Sequence, residues 1–377
     1  MAPNSEAPAE MLFFIPELKA LCAAEDVNHT MHNLYTLRGA KIRDSKAWSN
    51  YIHETIELFG PRIEVLFCQH TWPVWGNSQI IDFLEKQRDL YKYIHDQTLR
   101  LANQGYTMIE IAEMITLPKS LSQKWYNRGY YGSLNHNVKS VYNFYLGWFD
   151  ANPATLNQLP PAQASKKYID YMGGPSSVLK KAKVDYSKGE YRWVAQVLKD
   201  LVYAYPNDKL AKDLLADTFE QLGYQSENST WRNFYLTGAQ ELRQGIQKLP
   251  TPNPADNEDL MNNMPVSLIL DFLAIHLDGP KAANELITLN LKLPDIKEQY
   301  VVQIKNGVLN YFKNKSKPTA DFTILINRKD IKLLFSEGLE NLNQSKKIQV
   351  IGNLKMFDKF LSLFDRFNFW FNIVQPN

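Results

Sequence analysis

The sequence predicts a multidomain chain of three unlike parts: an α/β segment, an all-α middle and a small α+β domain. Three observations predict it. The run IEVLFC at 63–68 is β-branched and aromatic and follows a helix-like stretch closed by Gly60-Pro61. From about 82 to 247 the apolar residues recur near a 3.6 period. Beyond a proline- and acid-rich stretch at 249–260, short alternating runs read as strands. At 377 residues the chain has the length of two or three domains, each able to bury its own core.

Taken in order, 11–26 reads as a short helix after Pro8, and 48–59 as a second one that Gly60-Pro61 stops. IEVLFC then suits a buried strand, and a histidine-bearing loop follows. One clear strand cannot close an α/β layer, so 1–81 reads as part of something larger.

The middle, 82–248, is helical throughout. FLEKQRDLYKYIHDQTLRLANQG sets Phe83, Leu84, Leu90, Tyr91, Ile94, Leu99 and Leu101 close to one stripe and ends at Gly105. Further helices are expected at 107–116, 120–127, 135–149, 162–171 and 175–187. GEYRWVAQVLKDLVYAYPNDKLAKDLLADTFEQLGY is a helix, a Pro-Asn-Asp turn and a helix. Gly189-Glu190-Tyr191 is echoed by Gly223-Tyr224 after 34 residues, the tetratricopeptide period. Two helices do not make an array, and a single helical hairpin is the simpler reading.

The stretch LPTPNPADNEDL at 249–260 reads as a linker. In the last part, 255–377, the runs at 283–293, 298–304, 307–312 and 320–326 look like antiparallel strands. A helix at 329–337, a strand in KKIQVIGN and a helix at 354–367 complete a small α+β domain. Leu354, Phe357, Phe360, Leu361, Phe364 and Phe367 share one face of that last helix. Such an aromatic face lines a cavity or fills a core, and the pattern is the same for both.

Charge and composition exclude several functions. With 42 Lys+Arg against 40 Asp+Glu there is no polybasic surface for nucleic acid or acidic lipid, so no nucleic-acid partner is expected. Cys22 and Cys68 form no CxxC pair, which rules out thiolate zinc knuckles and a disulfide framework. The apolar runs, such as 11–15, are far shorter than the ~20 residues of a transmembrane helix, and none is expected. MAPNSEAPAE lacks the basic and apolar regions of a signal peptide, an absence that says little if the natural start lies upstream.

The seven histidines stand at 29, 32, 53, 70, 95, 136 and 276, and no HExxH, HxHxDH, GxSxG or P-loop string occurs. What remains is a concentration of ligand-type residues in the first 80 positions: Glu6, Glu10, Glu17, Glu25, Asp26, His29, His32 and His70. Carboxylates and imidazole suit zinc. Acids at the end of a solvated helix give the same composition.

Larger blocks say more. EAPAEMLFFIPELKALCAAED, HNLYTLRGAKIRD, CQHTWPVWGN, EKQRDLYKYIHDQTLRLANQGYT, RGYYGSLNHNVKSVYNFYLGWFDANPATL and WRNFYLTGAQELR follow one another. In this order they resemble the bacterial-type linear (primary) alkyl sulfatases. These are zinc hydrolases of the metallo-β-lactamase fold that cleave dodecyl sulfate, and the likeness covers essentially the whole chain. The resemblance implies that 1–81 is the C-terminal part of a metallo-β-lactamase-like catalytic domain. It implies a helical dimerisation domain at 82–248 and a sterol-carrier-like domain at 255–377. It also implies a homodimer, through a helical part that includes the aromatic-rich stretch 142–149, and an alkyl sulfate or other amphiphile as partner.

The same resemblance sorts the ligand-type residues. The family holds two zinc ions with an HxHxDH motif and with two later Glu and a His, which spacing assigns to Glu6, Glu25 and His70. Glu6 would serve one zinc, Glu25 would bridge both and His70 would serve the second; two close cations lower the pKa of a bridging water and clamp a sulfate oxygen. For the anion the resemblance points to Asn33 and Arg38, and beyond them to Tyr131 and to His136 as the group that orients the anion or moves a proton. A helix-turn hydrogen bond is the alternative role of Tyr131 and His136. His29, His32 and Cys22 are left as structural.

The absence of HxHxDH removes four of the seven expected zinc ligands, so the chain is expected to be a fragment with impaired or no activity alone. Two further readings stand beside the sulfatase: a non-catalytic remnant that dimerises and binds amphiphiles, and a lipid carrier using the C-terminal domain. Relatives are often exported, but the sequence leaves the compartment open, a periplasmic or secreted intact form included.

Overall fold

A computed structural model of the protein describes residues 1–248, 250, 259, 263–331, 334 and 347–376. The chain divides into two units: Met1–Ile246 with Asn372–Asn377, and Gln247–Phe371.

The first unit opens with a four-stranded sheet, β1 (Phe13–Ile15), β2 (Ala20–Cys22), β3 (Val65–Phe67) and β4 (Val74–Trp75), in that spatial order. The short helix expected at 11–26 is therefore a tight strand pair. Pro16 starts a single 3-10 turn, Lys19 closes it in the left-handed region, and Phe13 comes to pair with Cys22. Sheet pairing on both sides of β2 overrides the helical preference of its Ala and Leu. β2 and β3 are parallel, and helix α1 (Ser45–Phe59) makes the crossover between them. Asp44 caps α1, and Gly60-Pro61 ends it as expected.

Helix α2 (Asn77–Ala102) starts directly after β4, so the boundary expected at 81/82 falls inside one helix. Its buried face, with Ile80, Leu84, Tyr91 and Ile94, belongs to the same core as Leu21, Leu66 and Ile52 of the sheet and α1. Helices α3 (Met108–Met114), α4 (Lys119–Ser122) and α5 (Leu134–Leu146) follow, and Ile111, Val138 and Val141 extend that core. The α/β layer is thus sealed by helices that lie well beyond the first 81 residues.

Helices α6 (Pro161–Tyr171), α7 (Pro175–Ser187), α8 (Tyr191–Ala204), α9 (Lys209–Gln225) and α10 (Ser229–Gln244) share a second core around Leu198, Leu201 and Leu215. The expected hairpin is α8 and α9, and α10 packs against α9.

The second unit has a five-stranded sheet in the order β7-β6-β5-β8-β9: β5 (Ile287–Leu293), β6 (Glu298–Lys305), β7 (Val308–Lys313), β8 (Phe322–Ile326) and β9 (Ile348–Gly352). The strands were expected to be antiparallel, but β5 and β8 run parallel, because the chain returns to the sheet beside its first strand. Helices Val266–His276 and Leu354–Ser362 cover the sheet's core with Leu270, Leu273, Phe357 and Phe360. The last helix ends at Ser362 rather than 367; Phe357 and Phe360 are buried, whereas Phe367, Phe369 and Phe371 are exposed. Most of the linker at 249–260 and most of the helix at 329–337 lie outside the described residues; Arg328–Asp330 form one 3-10 turn. No helix among the described residues is long and apolar enough to cross a membrane.

Candidate metal and anion site

Parallel pairing of β2 and β3 sends two loops off the same end of the sheet. The pairing continues into those loops: Ala23 N–H donates to Phe67 O (2.9 Å) and Gln69 N–H to Ala24 O (3.0 Å). Ala24 and His70 both adopt positive φ, which turns the chain sharply at that edge. Glu25 and His70, 45 positions apart in sequence, meet there, with His70 Nε2 2.7 Å from Glu25 Oε1.

The second carboxylate oxygen of Glu25 faces His32 Nε2 at 3.3 Å. His32 is buried and held on every side. Its N–H donates to Tyr91 Oη (3.1 Å), its Nδ1–H to Asn33 O (3.0 Å), and its ring lies against Trp48 and edge-on to Tyr131. A helix far away in sequence fixes this segment: Asn137 at the start of α5 accepts from Leu34 N–H (2.9 Å) and donates to His32 O (2.9 Å).

Glu6 completes the group. One ligand atom each from Glu6, Glu25 and His32 lies within 4.8 Å of the others. Arg43 binds the Glu6 carboxylate and carbonyl, and on its other edge donates to Asn33 O (2.9 Å), Asn33 Oδ1 (2.6 Å) and Thr36 Oγ1 (3.1 Å). With Oδ1 taken by Arg43, the Asn33 amide turns its NH2 group away from the guanidinium.

The electrostatics follow from these contacts. With a proton on Nε2, the hydrogen bond from His32, then that from His70, holds the Glu25 carboxyl down at about 2 against its partial burial. Burial pushes the neighbouring Asp26 carboxyl up to about 8, and its Oδ2 is buried without a hydrogen-bond partner. Burial also raises Glu10.

Two carboxylates and an imidazole are a donor set for a divalent cation such as zinc. With Nδ1–H committed to Asn33 O, neutral His32 turns the bare lone pair of Nε2 toward a carboxylate oxygen, acceptor against acceptor. A cation between them, or a proton on Nε2, resolves that conflict.

Of the residues the sequence pointed to, the fold brings Glu6, Glu25, Asn33 and His70 together, with Tyr131 packed on His32. Arg38 is exposed and makes no hydrogen bond or ion pair to the described residues. His136 is buried with both ring nitrogens engaged: Nε2 donates to Tyr35 O (2.7 Å) and Nδ1 accepts from Trp231 Nε1 (3.2 Å). His32, left as structural, stands within reach of Glu6 and Glu25 in that donor group. His29 lies outside it, stacked between Trp72, Phe83 and Trp125 and bonded to Thr71 Oγ1 (3.0 Å). That stack borders a cleft of about 520 Å³ that Trp75 and Tyr126 also line. Arg43 escaped sequence reasoning, and His32 was not told apart from the other ligand-type residues, because both sit in HNLYTLRGAKIRD near residues of the same type, and only the loop's path separates His32 from His29 and Arg43 from Arg38.

Comparison with known proteins gives family matches over most of the chain. Residues 107–245 match the family described as alkyl sulfatase dimerisation, and 254–376 the one described as alkyl sulfatase C-terminal. The chain is 52% identical to a linear primary-alkylsulfatase of Pseudomonas sp., over 100% of this chain and 56% of that protein. It is 32% identical to a second linear primary-alkylsulfatase, from another Pseudomonas strain, over 96% of this chain and 70% of that one. The solved structure of the stereoselective inverting sec-alkylsulfatase Pisa1 from Pseudomonas sp. superposes with a TM-score of 0.93 at 40% identity, over 100% of this chain and 59% of that chain. The chain thus spans little more than half the length of the first of these relatives.

Proposed function

Because the chain belongs to the alkylsulfatase family, we propose that it takes part in zinc-dependent hydrolysis of primary alkyl sulfate esters such as dodecyl sulfate, releasing alcohol and sulfate. The observation that carries this reading is the Glu25 carboxylate, shared between His32 and His70 where two parallel strands end. Glu6, Glu25 and His32 would hold the cation, with His70 reaching the outer side of Glu25. When bound, zinc supplies a Lewis acid that lowers the pKa of a water and draws charge from a sulfate oxygen. The protein's own contribution is orientation. The Asn33 NH2 group donates to the sulfate, Arg43 supplies positive charge beside it, and Tyr131 fixes the His32 ring.

A second reading, a dimerising and amphiphile-binding protein without turnover, is favoured by one observation: the 377 residues contain no HxHxDH string, so three or four donors stand where the family uses seven. One experiment separates the two. Sulfate release from dodecyl sulfate is measured for the purified chain with zinc added and for Glu25→Ala. Release that falls on the order of 100-fold in the variant supports the hydrolase. Background release from both, with dodecyl sulfate still bound in equilibrium dialysis, replaces it with the second reading.

A further inference from the structure

Arg43 stands outside the residues that sequence singles out, yet its guanidinium joins the two halves of the site. One edge holds Glu6 through its carboxylate and its carbonyl; the other holds Asn33 through its carbonyl and Oδ1, with Thr36 Oγ1 as a fifth acceptor. The side chain is only 11% exposed, so these bonds are shielded from water. Resting on the metal-assisted reading above, we infer that Arg43 is a positioning residue that couples cation binding at Glu6 to oxyanion binding at Asn33.

The coupling follows from charge and geometry. Without a cation, the Glu6 carboxylate neutralises the guanidinium. A cation that shares the Glu6 charge leaves Arg43 less neutralised and raises the positive potential at Asn33, where an anion would sit. The same guanidinium fixes the Asn33 amide, since its Nη1 and the Thr36 hydroxyl both donate to Oδ1 and leave Nδ2, on the side away from the guanidinium, as the amide's donor. Only a planar fork does both. A lysine ammonium is a point donor on a flexible stem and can serve Glu6 or Asn33, not both together. Arg38, exposed and without contacts to the described residues, has no such position.

By linkage, zinc should tighten sulfate binding and sulfate should tighten zinc binding by the same factor. The test is the dissociation constant of inorganic sulfate, by titration calorimetry on the full chain with and without zinc, for wild type, Arg43→Lys and Thr36→Val. In wild type, zinc should tighten sulfate about tenfold or more. In Arg43→Lys that enhancement should shrink at least about fivefold, and in Thr36→Val by a smaller factor. Sulfate affinity that falls equally with and without zinc in Arg43→Lys makes Arg43 a structural residue and overturns the inference, while the metal-assisted reading stands. A wild type that binds zinc with no effect on sulfate overturns it in the same way. A wild type that binds neither zinc nor sulfate removes the reading and the inference together. Circular dichroism and a thermal melt check folding, and if Arg43→Lys does not fold, the loss or persistence of the enhancement in Thr36→Val decides.

Discussion

Gly132 packs directly beneath the carbonyl of His32: a β-carbon at position 132 would stand 2.6 Å from that oxygen and 2.8 Å from Asn33 N. The contact is backbone on backbone, reinforced by Gly132 N–H donating to Met31 O (2.7 Å). No side-chain rotation can relieve an added methyl there. Gly132→Ala should therefore push the 31–33 segment off the start of α5, at a cost of about 1–3 kcal/mol in denaturant unfolding. Because that segment carries His32, zinc affinity by competition with a chelator should fall in the same variant. A variant with wild-type stability and zinc affinity would show that the segment is not clamped by this contact.

His136 yields a pH prediction with a definite sign. Burial lowers its pKa below the ordinary 6.5, against the Tyr35 carbonyl that favours the charged form and with Lys139 adding to the drop. Protonating Nδ1 would set an N–H against the indole N–H of Trp231, donor against donor. The unfolded chain takes up the proton first as pH falls. The contribution is therefore complete above about 6.5 and is lost as pH falls through the lowered folded value. His29, also lowered by burial, works in the same direction. Unfolding free energy measured from pH 8 to 5 should fall more steeply in wild type than in His136→Gln. Parallel curves would mean that His136 titrates alike in both states.

The parts of the fold that were legible in the sequence are those held by local pattern. α1, α2, α8 and α9 each bury one stripe at helical spacing, and Gly60-Pro61 marks a real end. The β1–β2 pair was not legible, because three-residue strands show no alternation and Ala20-Leu21 favour a helix until β3 pairs with them. The parallel neighbours β5 and β8 were hidden for the same reason, since their pairing depends on a return of the chain, not on either strand. At the site, resemblance pointed to Glu25 and His70, which the sheet edge then brings into contact. His32 and Arg43 depend on where Asn137 and Tyr91 anchor one loop from about 60 to 100 residues away, and no spacing rule encodes that.

A homodimer built on the helical part should use the aromatic end of α5. Phe144, Tyr145 and Leu146 are exposed on its last turn, and Trp148, just past the Gly147 that ends it, is 72% exposed. Four adjoining apolar side chains in water mark an interaction surface. Their position inside 107–245, the stretch that matches the dimerisation family, favours a second copy as the partner. Trp148→Asp should place a charge in that contact and weaken dimerisation about tenfold or more by sedimentation velocity, with the circular dichroism unchanged. A wild type that stays monomeric at micromolar concentration would remove this face as a dimer contact.

The chain's last residues are tied to the helical layer by a buried acid. Glu241, on α10 and only 8% exposed, accepts hydrogen bonds from the backbone N–H groups of Ile373 (3.0 Å) and Val374 (3.2 Å). Beside it, Gly238 and Phe219 give room to the Val374 side chain: a β-carbon at 238 would meet Val374 Cγ1 and Phe219 Cδ2 at 3.2 Å. Deleting 372–377 would leave the carboxylate buried without those donors, at a cost of about 1–3 kcal/mol. The loss should be local. Hydrogen exchange should speed up in α9 and α10, whose shared core includes Ala239 and Leu242, and stay unchanged in α1 and α2, which belong to a different core. Glu241→Gln should give a smaller effect in the same helices, since a neutral amide oxygen accepts these bonds more weakly than a carboxylate. Unchanged exchange in α9 and α10 after the deletion would mean that the tail rests on the helices without stabilising them.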